Sequence, residues 1–387
     1  MTGEPVPPAG PVPLRVIAAQ WLRLGCIGFG GPPAHIALLR KLVVADRAWL
    51  DAGEFEDGVA AVNLLPGPAS TQLTIYCAWR LRGAAGALIG GVCFILPGLA
   101  VILALSALFL AAHPPGWVAG AARGAGSAVP AVAVAAALDL VPPSWRRAGS
   151  TPARARWAGY LLAGGAAAAL VGPWLVAVLV GCGLVEAAVR ARQAAPRPPA
   201  ALVAVVPASA GGLASLAWLA FKVGALSFGG GFVIIPLMQH DAVQTYHWMN
   251  AGQFLTAVAL GQVTPGPVVQ TVAVVGYAAA GVGGGLLASL VAFTPSFCFV
   301  LGGARYFDRL RRSAAVQSFL TGAGPAAIGA IAGAAIPLTA ALAHLWQAGV
   351  LVLASGWLIG LRRGVVAAIV GAAALGVAVY LAGGPVG

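Results

Sequence analysis

Residues 84–112 run for 29 positions without one charged side chain. As a helix this stretch would be about 44 Å long at 1.5 Å per residue, more than the roughly 30 Å hydrocarbon core of a bilayer. Apolar runs recur along the chain, at 124–138 and 365–381 among others. A soluble fold would need roughly 25% charged residues to keep its surface wet. Here they are 8% of 387, with a mean hydropathy of +0.92. The apolar-out, polar-in alternation of a lipid-facing barrel is absent. The sequence therefore predicts an all-α polytopic membrane protein.

Residues 1–13 are Pro-rich and polar, without the basic region and apolar core of a cleaved signal peptide, so they are expected to form a tail. The net charge of +12 comes from basic residues in short loops: Arg146, Arg147, Arg154 and Arg156; Arg190, Arg192 and Arg197; Arg305, Arg309, Arg311 and Arg312; Arg362 and Arg363. The positive-inside rule produces that placement, so no nucleic acid partner is expected. The five cysteines, Cys26, Cys77, Cys93, Cys182 and Cys298, lie in apolar stretches with no CxxC pair, which points to packing rather than a metal site or disulfides. A phosphate-binding GxxxxGK[ST] loop, HExxH and GxSxG are all missing, so neither a cofactor nor an enzyme is expected.

The chain is written twice. Adding 199 carries Phe29, Gly30 and Gly31 onto Phe228, Gly229 and Gly230, and Trp49, Gly53 and Phe55 onto Trp248, Gly252 and Phe254. It also carries Pro66, Gly67 and Pro68 onto Pro265, Gly266 and Pro267, with no gap expected from about Leu14 to Phe94. The basic, Pro-rich stretch 190–199 divides a first repeat, 14–189, from a second, 200–387. Loop charge alternates between them. Arg40, Lys41, Arg47, Arg80 and Arg82 face loops 239–246 and 279–281, which hold no Lys or Arg, while the basic 305–312 faces the neutral 106–113. With the same offset, Arg362 and Arg363 fall opposite Ala163 and Gly164. If basic loops are cytoplasmic, the repeats are inverted and an extra crossing separates them, for which residues 200–221 are available.

Each repeat holds two broken apolar segments, 25–33 and 63–72 in the first. Basic loops flank the second segment at both ends, which predicts a re-entrant hairpin with Pro66, Gly67 and Pro68 at its tip. Broken backbone at membrane depth is tolerated where it lines a cavity, and half-helix N-termini would aim N–H groups there. Four such breaks could surround an anion, with Ser70, Thr71, Gln72, Thr264, Gln270 and Thr271 as nearby donors. Arg23 and Lys222 lie inside apolar segments at matched positions, where each charge costs about 2.5–3.5 kcal/mol, suggesting anion binding or an internal carboxylate partner. His35, His240 and Glu54 are candidates for proton coupling. Glu56 and Asp57 join Glu54 in an acidic cluster, and Asp139 is expected at an interface.

These stretches, Gly28 to His35, Ser227 to Gly231 and the paired Pro-Gly-Pro segments, resemble the chromate ion transporter family in its long form with two fused units. The resemblance covers nearly the whole chain, and Arg23, Lys222, Phe29, Gly30, Gly31, Phe228, Gly229, Gly230 and both Pro-Gly-Pro segments fall on its motif positions. It implies a secondary active transporter that exports chromate across the cytoplasmic (inner) membrane, driven by the membrane potential or protons, and confers chromate resistance. The alternatives are an uncoupled oxyanion channel or a sulfate transporter with chromate as an adventitious substrate. A homodimer is compatible with the family's use of paired units. Gly231 stands where the first half has Pro32, and Ile234 where it has His35, so the halves are unequal.

Overall fold

The computed structural model describes residues 10–63, 65, 67–171, 174–194, 212–227, 232–303 and 313–386. Every regular element among them is helical. The first repeat comprises α1 (Leu14–Ile27), α2 (Gly31–Arg40) continued by a π turn Lys41–Asp46, α3 (Ala52–Val62), α4 (Ala69–Phe109), α5 (Gly116–Ala148), α6 (Thr151–Ala166) and α7 (Leu175–Ala194). The second comprises α8 (Leu213–Leu226), α9 (Ile234–Gln239) continued by a π turn His240–Thr245, α10 (Ala251–Val263), α11 (Thr271–Gly303), α12 (Ala314–Ala340), α13 (Leu345–Ser355) and α14 (Val365–Leu381). Matching caps open matching helices. Asp51 accepts from the Glu54 N–H at the start of α3, and Asn250 forms a capping box with Gln253 at the start of α10. The stretch 200–211, where an extra crossing is expected, lies outside the described residues, as do 195–199 of the linker, 1–9 of the tail and the basic loop 304–312.

Among the described residues, four stretches are long and apolar enough to cross a membrane: Ala69–Phe109, Gly116–Ala148, Val268–Gly303 and Ala314–Ala340. The first and third are not single rods. Arg82 and Gly83 break α4 with φ −149° and +58°, and Ala280 and Gly281 break α11 with φ −153° and +62°. Gly86 then packs on Ala78 and Gly91 on Ile75, so the arms 69–81 and 84–109 lie antiparallel as a tight hairpin. Gly284 packs on Gly276 in the same way. The chain thus enters through α3, returns through 69–81 and reverses again before crossing through 84–109. At 11 and 13 residues the two inner arms are about 16–20 Å long, too short to span. The ion pairs Arg80–Glu54 and Arg40–Glu56 tie the ends of these hairpins together on one face. This is the re-entrant hairpin the flanking basic loops predict.

The gapless register does not hold to Phe94. Helix breaks at Gly83 and Gly281, and the internal Pro97 and Pro295, are 198 apart. The lost residue falls just after Pro267, where the second half forms the 3₁₀ turn Val268–Gln270 before α11. Gln72 therefore corresponds to Gln270 rather than to Thr271. Further on the offset shrinks again: the π turn Ala167–Val171 corresponds to Gly356–Gly360. Arg362 and Arg363 consequently fall opposite the uncharged positions 173 and 174, not Ala163 and Gly164. Asp139 is exposed on α5, well short of its end at Ala148.

The halves are intertwined. The crossing arm of α4 runs antiparallel to that of α11, with Gly91 against Phe297 and Leu103 against Gly285. In α5, Gly116, Gly120 and Gly124 pack on Tyr380, Gly376 and Ala372 of α14, while Gly322 and Gly329 of α12 pack on Cys182 of α7 and Leu161 of α6. Each half thus sends its last helices onto the other's long central helix. The symmetry has one clear breach. Leu255 of α10 packs on Gly126 of α5, but the corresponding Gly324 of α12 faces open space. At the position of Leu255 the first half has Glu56, an exposed carboxylate paired with Arg40, which keeps α3 off the apolar scaffold. The first-half hairpins accordingly form a core of their own around Trp21, Phe55 and Phe94.

Candidate functional site at the crossed helix breaks

α1 runs parallel to the crossing arm of α4, placing Trp21 beside Gly90 and Gly25 beside the Phe94 carbonyl. The break at Gly28 therefore sits level with the middle of that arm. There it meets the other half. The Gly266 N–H donates to the Gly28 carbonyl at 2.8 Å. Gln270 Nε2 donates to the Ile95 carbonyl at 2.6 Å, and Gly31 lies against Val268. A β-carbon on Gly98 would come within 2.1 Å of the Pro265 carbonyl, so only glycine lets the segment dock. Reciprocally, Gly67 lies against the Gly224 carbonyl at the end of α8. The glycine break of the first half is thus seated on the Pro-Gly-Pro segment of the second, and Gly67 of the first half's own segment touches the end of α8. Pro66, Phe228, Gly229, Gly230 and Gly231 lie outside the described residues.

The donors differ from break to break. α2 begins Gly31, Pro32, Pro33, and the prolines remove two of the N–H groups a helix start normally offers. α4 keeps its own. It follows Pro68, has no side-chain cap, and its first closing bond is from Gln72 N–H to the Pro68 carbonyl at 3.0 Å. The N–H groups of Ala69, Ser70 and Thr71 are left without intrahelical partners. On the opposite side the 3₁₀ turn leaves those of Val268 and Val269.

Side chains sort in the same way. His35 is buried, with its ring edge-on to Phe94 at 5.2 Å between centroids. Its Nε2–H donates to the Gly28 carbonyl at 2.9 Å, because a carbonyl can only accept. Nδ1 of the neutral ring then accepts from Ser70 Oγ–H at 3.3 Å. Thr264 and Thr271 donate their hydroxyls to the Leu260 and Val268 carbonyls. Thr71 Oγ1 and Gln270 Oε1 are buried without a partner, as are Ser227 Oγ and Ser296 Oγ, which sequence reasoning passed over. Ser296 holds in α11 the place of Gly98 in α4; its signal was its position beside Pro295, visible only once the register is corrected. Buried hydroxyls without partners are rare enough in proteins to mark a place where something else binds or water enters. Gln72 is fully buried beside Gly67.

The two basic candidates part company. Lys222 pairs with Asp241 of the π turn after α9, and its ammonium lies 5.9 Å from the Trp218 ring. Asp241 is another residue the sequence reading passed over. Its first-half counterpart is Leu42, and Arg23 lies exposed on α1 without an ion-pair partner among the described residues. Phe29 is exposed, Glu54 is engaged by Arg80, and His240 is half-buried at the start of its π turn.

A family model described as chromate transporter matches the chain twice, over residues 16–187 and 214–377, one match per repeat. The chromate transport protein of Cupriavidus metallidurans is 33% identical over 339 residues, covering 84% of this chain and 82% of that one. The probable chromate transport protein of Synechococcus elongatus is 29% identical, covering 90% and 91%. The chromate transport protein of Pseudomonas aeruginosa is 30% identical, covering 87% and 83%. No solved structure matches. With two family matches spanning both repeats and their crossed breaks, this multi-pass membrane chain belongs to the chromate transporter family.

Proposed function

We propose that the chain is a secondary transporter that exports chromate, or a related tetrahedral oxyanion such as sulfate, across the cytoplasmic membrane. The observation that carries this reading is the docking of the first half's glycine break on the second half's Pro-Gly-Pro segment, at the mid-height of the crossing arm of α4. Backbone donors left open at the start of α4 and at Val268 and Val269, with the buried Thr71 hydroxyl, suit an anion that has shed its water. The antiparallel crossing arms and the placement of basic loops support repeats inverted in the membrane, the arrangement on which alternating access depends.

His35 supplies a means of proton coupling. In the neutral ring Nδ1 occupies the Ser70 proton. A protonated ring would donate from Nδ1 instead, turning the Ser70 O–H outward as a further donor beside the N–H groups of α4. One proton would then strengthen anion binding twice, by charge and by a freed hydroxyl. An uncoupled channel through the same breaks is the competing reading.

Labelled chromate uptake into inside-out vesicles, with a pH gradient imposed or collapsed and sulfate as competitor, tests both. Saturable, gradient-dependent uptake is expected, and His35→Gln should transport without responding to the gradient. Absence of uptake above empty vesicles overturns the export reading. Flux that neither saturates nor follows the gradient in the unmodified protein establishes the channel instead.

A further inference from the structure

Apart from the crossed breaks, α13 and α14 form a hairpin whose helices stand apart along their outer side. Between them is an apolar groove of about 310 Å³. Its floor is Val350, Ala354, Ala368 and Ala372, all buried; its walls are the half-exposed Leu353, Trp357 and Leu375. Gly371 opens onto it, and a β-carbon there would meet nothing within 4 Å. The groove ends at the hairpin tip, residues 361–364, where the Arg363 N–H donates to the Trp357 carbonyl at 3.1 Å and Trp357 Nε1–H donates to the Gly364 carbonyl at 3.3 Å. These bonds fix Arg362 and Arg363 just beyond the groove's end, with Arg363 bonded to one of the residues that line it.

Neither arginine has an ion-pair partner among the described residues. From residue 313 to the last residue, Arg362 and Arg363 are the only charged side chains, and no Asp or Glu occurs. An apolar slot open sideways, closed at one end by two exposed arginines and an indole, matches the two parts of one molecule. We infer that this hairpin retains an anionic glycerophospholipid, one acyl chain in the groove and the phosphate on Arg362 and Arg363. Apolar chain and anionic headgroup are both required: a neutral lipid would leave the arginines unmatched, and a free phosphate would leave the groove empty. Basic sites between membrane helices on the cytoplasmic side commonly select anionic headgroups, each nearby Lys or Arg adding about 1 kcal/mol. Trp357 sits where amphipathic rings favour the headgroup level.

The test is native mass spectrometry of the full-length protein in mild detergent, titrated with phosphatidylglycerol, with phosphatidylcholine and with inorganic phosphate. The unmodified protein should retain phosphatidylglycerol and neither of the others. Removing both charges with R362Q/R363Q should weaken retention about 30-fold, the product of two such arginine contributions. Gly371→Leu, which fills the groove without touching the rest of the fold, should weaken it comparably while leaving the melting temperature in lipid-free detergent unchanged. Equal retention of phosphatidylcholine, or retention unaffected by Gly371→Leu, overturns the proposal; the second result would reduce the arginines to loop charges that only set orientation.

Discussion

Lys222 and Asp241 come from separate helices and meet with little exposure to solvent, 23% and 12% for their side chains. Taking either partner away leaves a charge stranded in an apolar setting, which typically destabilises by about 3–5 kcal/mol, whereas removing both is far milder. Lys222→Ala should therefore lower thermal stability in detergent sharply, and the double variant Lys222→Ala/Asp241→Ala should recover most of it. Transport should not recover with stability if Lys222 also serves the anion; a double variant that transports normally would make the pair purely structural. Arg23→Ala, at an exposed residue with no ion-pair partner among the described residues, should lose transport with a melting temperature close to that of the parent. Lys222 was legible in the sequence because a charge inside an apolar run is costly. Asp241 was not, because its stretch reads as a loop without Lys or Arg and only the α8–α9 geometry brings it back 19 positions to the lysine. Ser70 was legible as a hydroxyl near a break, but its commitment to His35 depends on a contact 35 residues away.

Among the elements, the packing of α1 on α4 and of α8 on α11 is the same contact made twice. A β-carbon on Gly25 would lie 2.6 Å from the Phe94 carbonyl, and one on Gly224 would lie 1.9 Å from that of Ala292. Backbone cannot yield as a side-chain tip does, so alanine at either position should cost about 1–3 kcal/mol as overpacking, with Gly224→Ala the worse. Gly302→Ala on α11, with open space around it, is the control and should be neutral or slightly stabilising. Equal melting temperatures for all three would mean these helices are not held so closely. The sequence conveyed the hairpins well: paired glycine breaks and basic flanks identified re-entrant arms, because proline and glycine act locally. It placed a basic loop at Arg80–Arg82, where the break at Arg82 and Gly83 falls, but did not convey how tightly the two arms of α4 close there, which rests on Gly86 against Ala78. Nor did it reveal the one-residue slip at Val268–Gln270, because apolar helix positions tolerate a shift without changing character.

At the scale of the molecule, the crossing arms of α4 and α11 run antiparallel, and this makes a prediction about sidedness. With exposed Cys26 and Cys298 replaced by serine, single cysteines at Arg82 and Ala280 should react with an impermeant thiol reagent from opposite sides of the membrane. Reaction from one side alone would sink the inverted arrangement. Loop charge is what predicts the inversion; the intertwining was not readable, because glycine-on-glycine contacts such as Gly120 with Gly376 carry no pattern that one strand of sequence reveals. That intertwining has a consequence for manufacture. α5 is complete by Ala148, yet the α14 that covers it begins only at Val365, roughly 200 residues later. At about 5–20 residues per second, the ribosome needs on the order of 10–40 s to deliver it. Through that interval the first repeat is an unfinished object in the bilayer, its glycine flank open to lipid and to quality-control proteases. Ribosome pausing between the repeats should therefore lower yield far more than pausing after Leu381, whatever it does to the finished protein.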